Sequence, residues 1–180
     1  GSNYTNTRHN IGFKIIDAIN THFKLSKQKP KFKGLLTTGN IDEKKIYAIK
    51  PLTFMNNSGT AIKELIDYFK IDAKDVFVFH DDMDIDFGKV KAKFGGGSAG
   101  HNGIDSIDKF IGKDYSRVRV GIGHPKQKKK VNNHVLEDFK EDEEEKINEI
   151  TKNIVKQIPT LIEKKIDLFS SKVNQNLNGI

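Results

Sequence analysis

A chain of 180 residues is most simply one domain with one core, and its 31% charged residues give it a heavily charged surface. The absence of cysteine excludes disulfides, thiolate catalysis and Cys-based zinc sites, and fits a reducing cytosol. A formal net charge of +7 points to a polyanionic partner such as nucleic acid or an anionic surface, while no apolar run approaches a membrane span or a signal region.

The elements follow in chain order. Phe13 to Phe23 places Phe13, Ile16, Ile19 and Phe23 at helical spacing. The stretch "KQKPKFKG" reads as a basic loop. "GLLTTG" and "KKIYAIK" read as two strands joined by a turn at "NIDEK". "SGTAIKELIDYFK" reads as a helix with Ser58 as N-cap. "DVFVFH" is a continuous apolar run, the pattern of a strand buried on both faces. Gly88 to Phe94 alternates as a half-exposed strand, Asn102 to Ile111 is a short helix, and "RVRVGIG" alternates again as a strand. Lys126 to Lys130 reads as a solvated basic loop, and one long charged helix is expected from Asp138 towards Phe169. Its acidic first turn, "EDEEE", suits the positive end of a helix dipole.

Strands alternating with helices predict an α/β fold, and the alternating strands predict a mixed sheet. Such a domain usually begins with a strand, whereas this chain enters at "GSNYTNTRHN". Either the domain begins unusually or, as expected, a first strand is missing from this chain.

The polar clusters bear on chemistry. "NTRHNIGF" crowds Arg8, His9 and Asn10 into a loop-to-helix junction that needs only one capping residue. His9 is the side chain suited to moving protons near neutral pH, or it is simply a hydrogen-bonded helix start. In "FMNNSG" one asparagine is enough to cap the following helix. The other is free to orient a water or donate to an oxyanion, and Met55 lines a pocket or sits in the core. "HDDMDID" follows the apolar strand, where ligand sites of α/β sheets gather. It reads as a metal site, a solvated turn, or a carboxylate that orients a base. Strand alternation lets only Asp81 and one of its neighbours, Met83 or Asp82, share a face, which favours one carboxylate paired to a histidine over a metal cage. "GGGSAGHNG" lets a ligand approach the backbone, yet it fits neither nucleotide fingerprint, and Ser98 lacks a nucleophile context. Lys89, Lys91 and Lys93 share one strand face and Arg117 and Arg119 another. Such rows are usually solvated faces, and they also make a stripe for phosphates.

In this order and spacing, "TRHNIGF", "KPLTFMNNSG", "HDDMDIDFGKVKAKFGGGSAGHNGI" and "RVRVGIGHP" resemble the signature blocks of the bacterial peptidyl-tRNA hydrolase family. The resemblance covers about Gly1 to Pro125 and continues weakly through the C-terminal helix. It implies a three-layer sandwich with a mixed central β-sheet flanked by helices. Residues 1–180 would form a single domain, with a basic loop and lid region at 126–150 and a C-terminal helix and tail at 151–180. It implies a metal-free, cofactor-free esterase. The bond cut joins a peptide to the 3′ ribose of tRNA, which recycles dropped-off peptidyl-tRNA. The enzyme would be a cytoplasmic monomer with no membrane partner.

By the matching motifs, His9 is implied as the base that activates water, Asp81 as its orienting partner, and Asn56 as the water-positioning and oxyanion-side group. Tyr4, Asn10, Met55, His101 and Asn102 are implied as substrate contacts, and Lys93 and Arg119 as receivers of a tRNA phosphate. The family's opening strand and its asparagine-bearing turn have no counterpart before Gly1. Gly1-Ser2 reads as a possible cloning scar, and roughly ten more residues are expected in the natural protein, a typical strand-plus-turn length. Two other functions compete: an RNA-binding relative without chemistry, and a metal-dependent hydrolase built from His9, Asp81 and His101.

Overall fold

The computed structural model describes residues 4–125, 131–175 and 177. Thirteen elements follow in chain order: α1 (Ile11–His22), β1 (Lys29–Lys31), β2 (Gly34–Ile41), β3 (Lys44–Pro51), α2 (Ser58–Phe69), β4 (Phe77–Asp82), β5 (Val90–Phe94), α3 (Asn102–Ile111), β6 (Ser116–Gly121), α4 (Val131–His134), α5 (Glu141–Lys156), α6 (Ile158–Ile162) and α7 (Ile166–Gln175). Single 3-10 turns at Arg8–Asn10 and Met55–Asn57 lead into α1 and α2. The strands form two three-stranded sheets, ordered β1-β2-β3 and β4-β6-β5.

The first sheet is an antiparallel meander. Leu36 stands opposite Ile49 and Thr37 opposite Ala48, and Asp42 makes the β2–β3 turn with φ 52°. The second sheet is mixed. Ser116 N–H donates to Val76 O and Ile122 N–H to Asp82 O, the constant offset of a parallel pair. Gly121 N–H to Lys89 O and Gly95 N–H to Tyr115 O run the opposite way, so β5 is antiparallel to β6.

By its internal contacts the chain divides into two compact units. The first comprises Gly1–Ala18, Phe79–Lys93 and Arg117–Ile180. Val118 and Val120 are buried on β6, as are Ile147, Ile150 and Ile154 on one stripe of α5. Each buried aliphatic side chain contributes roughly 1.5–3 kcal/mol over an exposed one. Gly12 opens α1 against β4 so closely that a Cβ there would lie 2.3 Å from the Phe79 carbonyl oxygen. The exposed edge of β5 is covered by α7. Asn174 accepts from Val90 N–H (3.0 Å) and donates to Val90 O (2.7 Å), and Ser170 Oγ accepts from Ala92 N–H (2.8 Å). These side chains satisfy backbone groups that an open edge would leave unpaired.

The second unit comprises Ile19–Val78 and Phe94–Ser116. Its core gathers Leu36, Ile62, Leu65, Ile66, Ile107 and Tyr115. In α2, Leu65 and Ile66 lie three and four positions after Ile62, which puts all three on one helix face. Helix α2 crosses α3 at Gly59, where a Cβ would lie 2.3 Å from Ser106 O. The Gly59 N–H also donates to Ser106 Oγ at 3.0 Å.

Several expectations are corrected. The single C-terminal helix is three: Pro159 stands at the start of α6, where a missing N–H costs nothing, and Lys164 takes φ 61° before α7. The basic loop contains strand β1, which pairs Lys31 with Gly34. Ser58 is the first helical residue and not the cap, because its hydroxyl donates back to Met55 O. Strand β4 is only half-buried at Phe77, Val78 and Phe79 and buried at His80, Asp81 and Asp82, the reverse of an apolar buried strand. Arg117 is fully buried, so the β6 arginines do not form one solvated row. The Lys126–Lys130 loop and the Gly1-Ser2 start lie outside the described residues.

Candidate active site

Strand alternation decides which carboxylate of "HDDMDID" does what. Asp81 Oδ1 lies 2.8 Å from His9 Nδ1, and the Asp81 side chain is only 2% exposed. Asp82, pointing to the other face, accepts from Arg119 Nε at 2.7 Å and from the Asp84 N–H at 2.9 Å. Asp84 in turn meets His124 Nε2 at 2.9 Å on the surface. Three carboxylates thus serve three separate partners. With Asp81 ionised, the His9 proton belongs on Nδ1, so Nε2 is the ring nitrogen that carries the basic lone pair. An imidazole held by a buried carboxylate in this way has the geometry that hydrolytic triads also use.

The loop that carries His9 is tied down on both sides. Tyr4 O accepts from Thr7 N–H (3.1 Å), Thr7 Oγ1 (2.9 Å) and Asn10 Nδ2 (2.7 Å). Asn10 is buried and holds the Tyr4 main chain, while the Tyr4 residue itself is exposed. On the other side, His9 N–H donates to Val135 O at 2.8 Å, and Thr7 makes a bridge with Asp138. Arg8, buried to 3% exposure, donates to the carbonyls of His134, Glu137 and Asp138 and to the Glu143 carboxylate. Its guanidinium also sits 5.3 Å from the Phe139 ring centroid. In the sequence Arg8 is only the neighbour of His9, and this task is not visible there. Its partner is 135 positions away, and no local pattern announces it.

Lys93 and Arg119 stand on the adjacent strands β5 and β6. Lys93 is exposed, whereas Arg119 is partly covered and its Nε is committed to Asp82.

The remaining predicted residues belong to the second unit. Met55, Asn56 and Asn57 form the turn between β3 and α2, with Met55 half-buried and Asn56 exposed. His101 caps α3: its Nδ1 accepts from Gly103 N–H (3.1 Å) and Ile104 N–H (3.3 Å). That bonding puts the ring proton on Nε2, which makes this nitrogen of His101 a donor. Met55 and His101 meet at Gly103, where a Cβ would lie 2.6 Å from Met55 Sδ and 3.0 Å from His101 Cε1. Asn102 follows His101 as the exposed first residue of α3.

Likeness to solved structures sets the class as a hydrolytic enzyme on a mixed α/β sheet. A crystal structure of peptidyl-tRNA hydrolase from Acinetobacter baumannii superposes with a TM-score of 0.90 at 31% identity, covering 97% of this chain and 89% of that one. The family model described as peptidyl-tRNA hydrolase matches residues 1–179, and the chain belongs to that family. The peptidyl-tRNA hydrolase of Pelagibacter ubique is 73% identical over 169 residues, 94% of this chain and 91% of the relative. That of Ehrlichia canis is 44% identical over 177 residues, 98% and 91% of the two chains. The activity is hydrolysis of peptidyl-tRNA. Among the described residues no helix is long and apolar enough to cross a membrane.

Proposed function

We propose that this enzyme cleaves the ester of peptidyl-tRNA with a water activated by His9 and without a metal ion. His9 Nε2 takes a proton from the water, and the water oxygen attacks the ester carbonyl carbon. Asp81 holds the ring and stabilises the imidazolium as it forms. Asn56 donates to the oxygen that becomes negative in the tetrahedral intermediate. Collapse breaks the bond to the ribose 3′ oxygen, which receives the proton from His9 Nε2. The products are a free peptide carboxyl group and a tRNA 3′ hydroxyl.

The observation that carries this reading is the 2.8 Å contact between His9 Nδ1 and the buried Asp81 carboxylate. An ester is activated enough that a held base and one oxyanion donor suffice, without a covalent intermediate. Tyr4, Asn10, Met55, His101 and Asn102 are assigned to the substrate: the first two through the pinned Tyr4 segment, the others through the Gly103 corner. Lys93 and Arg119 are assigned to a tRNA phosphate, with the Asp82 contact fixing the direction of the Arg119 fork. We place the enzyme in the cytosol as a monomer.

The test is hydrolysis of peptidyl-tRNA in excess chelator by the parent and by His9→Ala. The reading expects full parent activity and a loss of at least about 10²-fold in the variant, the scale of a general base. Chelator-sensitive turnover points instead to the metal-dependent alternative, and near-normal turnover by His9→Ala removes His9 from the mechanism.

A further inference from the structure

We propose that edge strand β1 and the lysines around it form a second contact surface for the sugar–phosphate backbone of the tRNA, carried by the second unit and centred on Lys31. The inference rests on the tRNA substrate assigned above. Lys24, Lys27, Lys29, Lys31 and Lys33 fall within ten residues, all are exposed, and no acidic residue interrupts them. Lys33 pairs with Glu64 at 2.5 Å. Among the described residues, Lys24, Lys27, Lys29 and Lys31 have no carboxylate partner.

Lys31 is held by rings in place of an acid. Its Nζ lies 4.1 Å from the Tyr68 centroid, 4.7 Å from Phe32 and 5.7 Å from Phe69. The rings support one another: Phe32 packs on Tyr68 at 5.2 Å, and Tyr47 stacks on Phe69 at 4.0 Å. A π face orients an ammonium without cancelling its charge. Lys31 therefore presents a fixed, unneutralised cation, and Tyr68, 62% exposed, extends the platform beside it. Lys29 and Lys31 point to the same side of β1, about 7 Å apart along the strand. That spacing is on the scale of successive backbone phosphates. Lysine ammoniums are point charges without a planar fork, so the surface reads backbone and not sequence.

The competing task for such lysines is to keep a sheet edge from pairing with another copy. The two roles separate experimentally. The variant carries Lys24→Gln, Lys27→Gln, Lys29→Gln and Lys31→Gln. The readouts are kcat/KM across a salt series for peptidyl-tRNA and for an N-acetyl-aminoacyl adenosine ester, with anisotropy of deacylated tRNA beside them.

For tRNA contact, kcat/KM on peptidyl-tRNA falls about tenfold or more near 0.1 M salt. The slope against log salt becomes shallower by roughly 0.7–0.9 for each contact removed. The small ester is cleaved as before, and tRNA binding weakens in parallel. Lys24→Gln with Lys27→Gln, which touches no ring, gives a smaller change of the same sign, and Lys31→Arg keeps the parent slope. An unchanged salt slope overturns the proposal, as does an equal loss on both substrates or self-association with unaltered tRNA binding. Because the anisotropy arm involves no chemistry, failure of the proposed hydrolytic mechanism is distinguishable from failure of this surface.

Discussion

Arg8 Nη2 lies 2.6 Å from Glu143 Oε2, so the residue preceding the candidate base is locked to the first turn of α5. Three carbonyl oxygens, of His134, Glu137 and Asp138, take the hydrogens of Nη1. The same Glu143 oxygen accepts the Lys140 N–H at 2.9 Å, so one carboxylate both caps α5 and grips the His9 loop. The acidic first turn of that helix therefore does more than favour the helix dipole.

Removing the Arg8 side chain takes away the ion-pair partner of Glu143 and the Nη1 donor that three carbonyls share. Arg8→Ala is expected to destabilise the fold by about 3–5 kcal/mol, the cost of breaking a buried pair. Glu143 is partly exposed, so Glu143→Gln is expected to cost less. Urea denaturation orders the two; equal, sub-kcal/mol effects mean that the clamp is ornamental.

Asp81→Asn keeps the shape of the His9 partner and removes its charge. An asparagine amide is free to donate to Nδ1, which moves the ring proton to Nε2, the wrong nitrogen for a base. A fall in kcat of about 10²–10⁴-fold is expected, with KM for peptidyl-tRNA little changed and circular dichroism unaltered. A variant with parent kcat shows that the carboxylate has no part in the reaction.

Gly12→Ala and Gly59→Ala each push a methyl group to within 2.3 Å of a backbone carbonyl oxygen. Backbone cannot swing aside as a side chain can, so each is expected to lose about 1–3 kcal/mol or more. Thermal unfolding of the two variants measures it. An unshifted midpoint for Gly12→Ala contradicts the close approach of α1 to β4.

Asn174→Ala uncovers the Val90 N–H and C=O on the edge of β5. About 1–3 kcal/mol of stability is expected to be lost, with faster hydrogen exchange at the Val90 amide than at Val118 on the central strand. Unchanged exchange at Val90 means that α7 does not protect this edge.

What the sequence disclosed follows the range of each signal. The β2–β3 hairpin and α3 were readable because their patterns are local: two strand-like runs flanking a tight turn, and Ile104, Ile107 and Ile111 at helical spacing. Strand β1 was hidden because "KPK" is charged and carries Pro30, which only an edge strand tolerates. The C-terminal break was hidden because Pro159 suits the first turn of a helix, and a lysine in the left-handed conformation at 164 leaves no trace in composition. Arg117 and Arg119 look alike in sequence, yet one is buried and the other serves Asp82, because alternation orders the faces of a strand and does not say what covers them. That Asp81 and Asp82 face opposite ways follows from the same alternation, but which of them reaches His9 does not, and the Arg8–Glu143 lock spans 135 positions and has no local signature.

The central claim is that His9 and Asp81 act together as one base, and a double-mutant cycle on kcat/KM tests it most directly. Peptidyl-tRNA hydrolysis is measured for His9→Ala, Asp81→Asn and the combined variant. Residues that act as a unit give losses far from additive, so the combined variant is predicted to be no slower than His9→Ala alone. Losses that multiply in full contradict the account, because they assign the imidazole and the carboxylate to independent tasks.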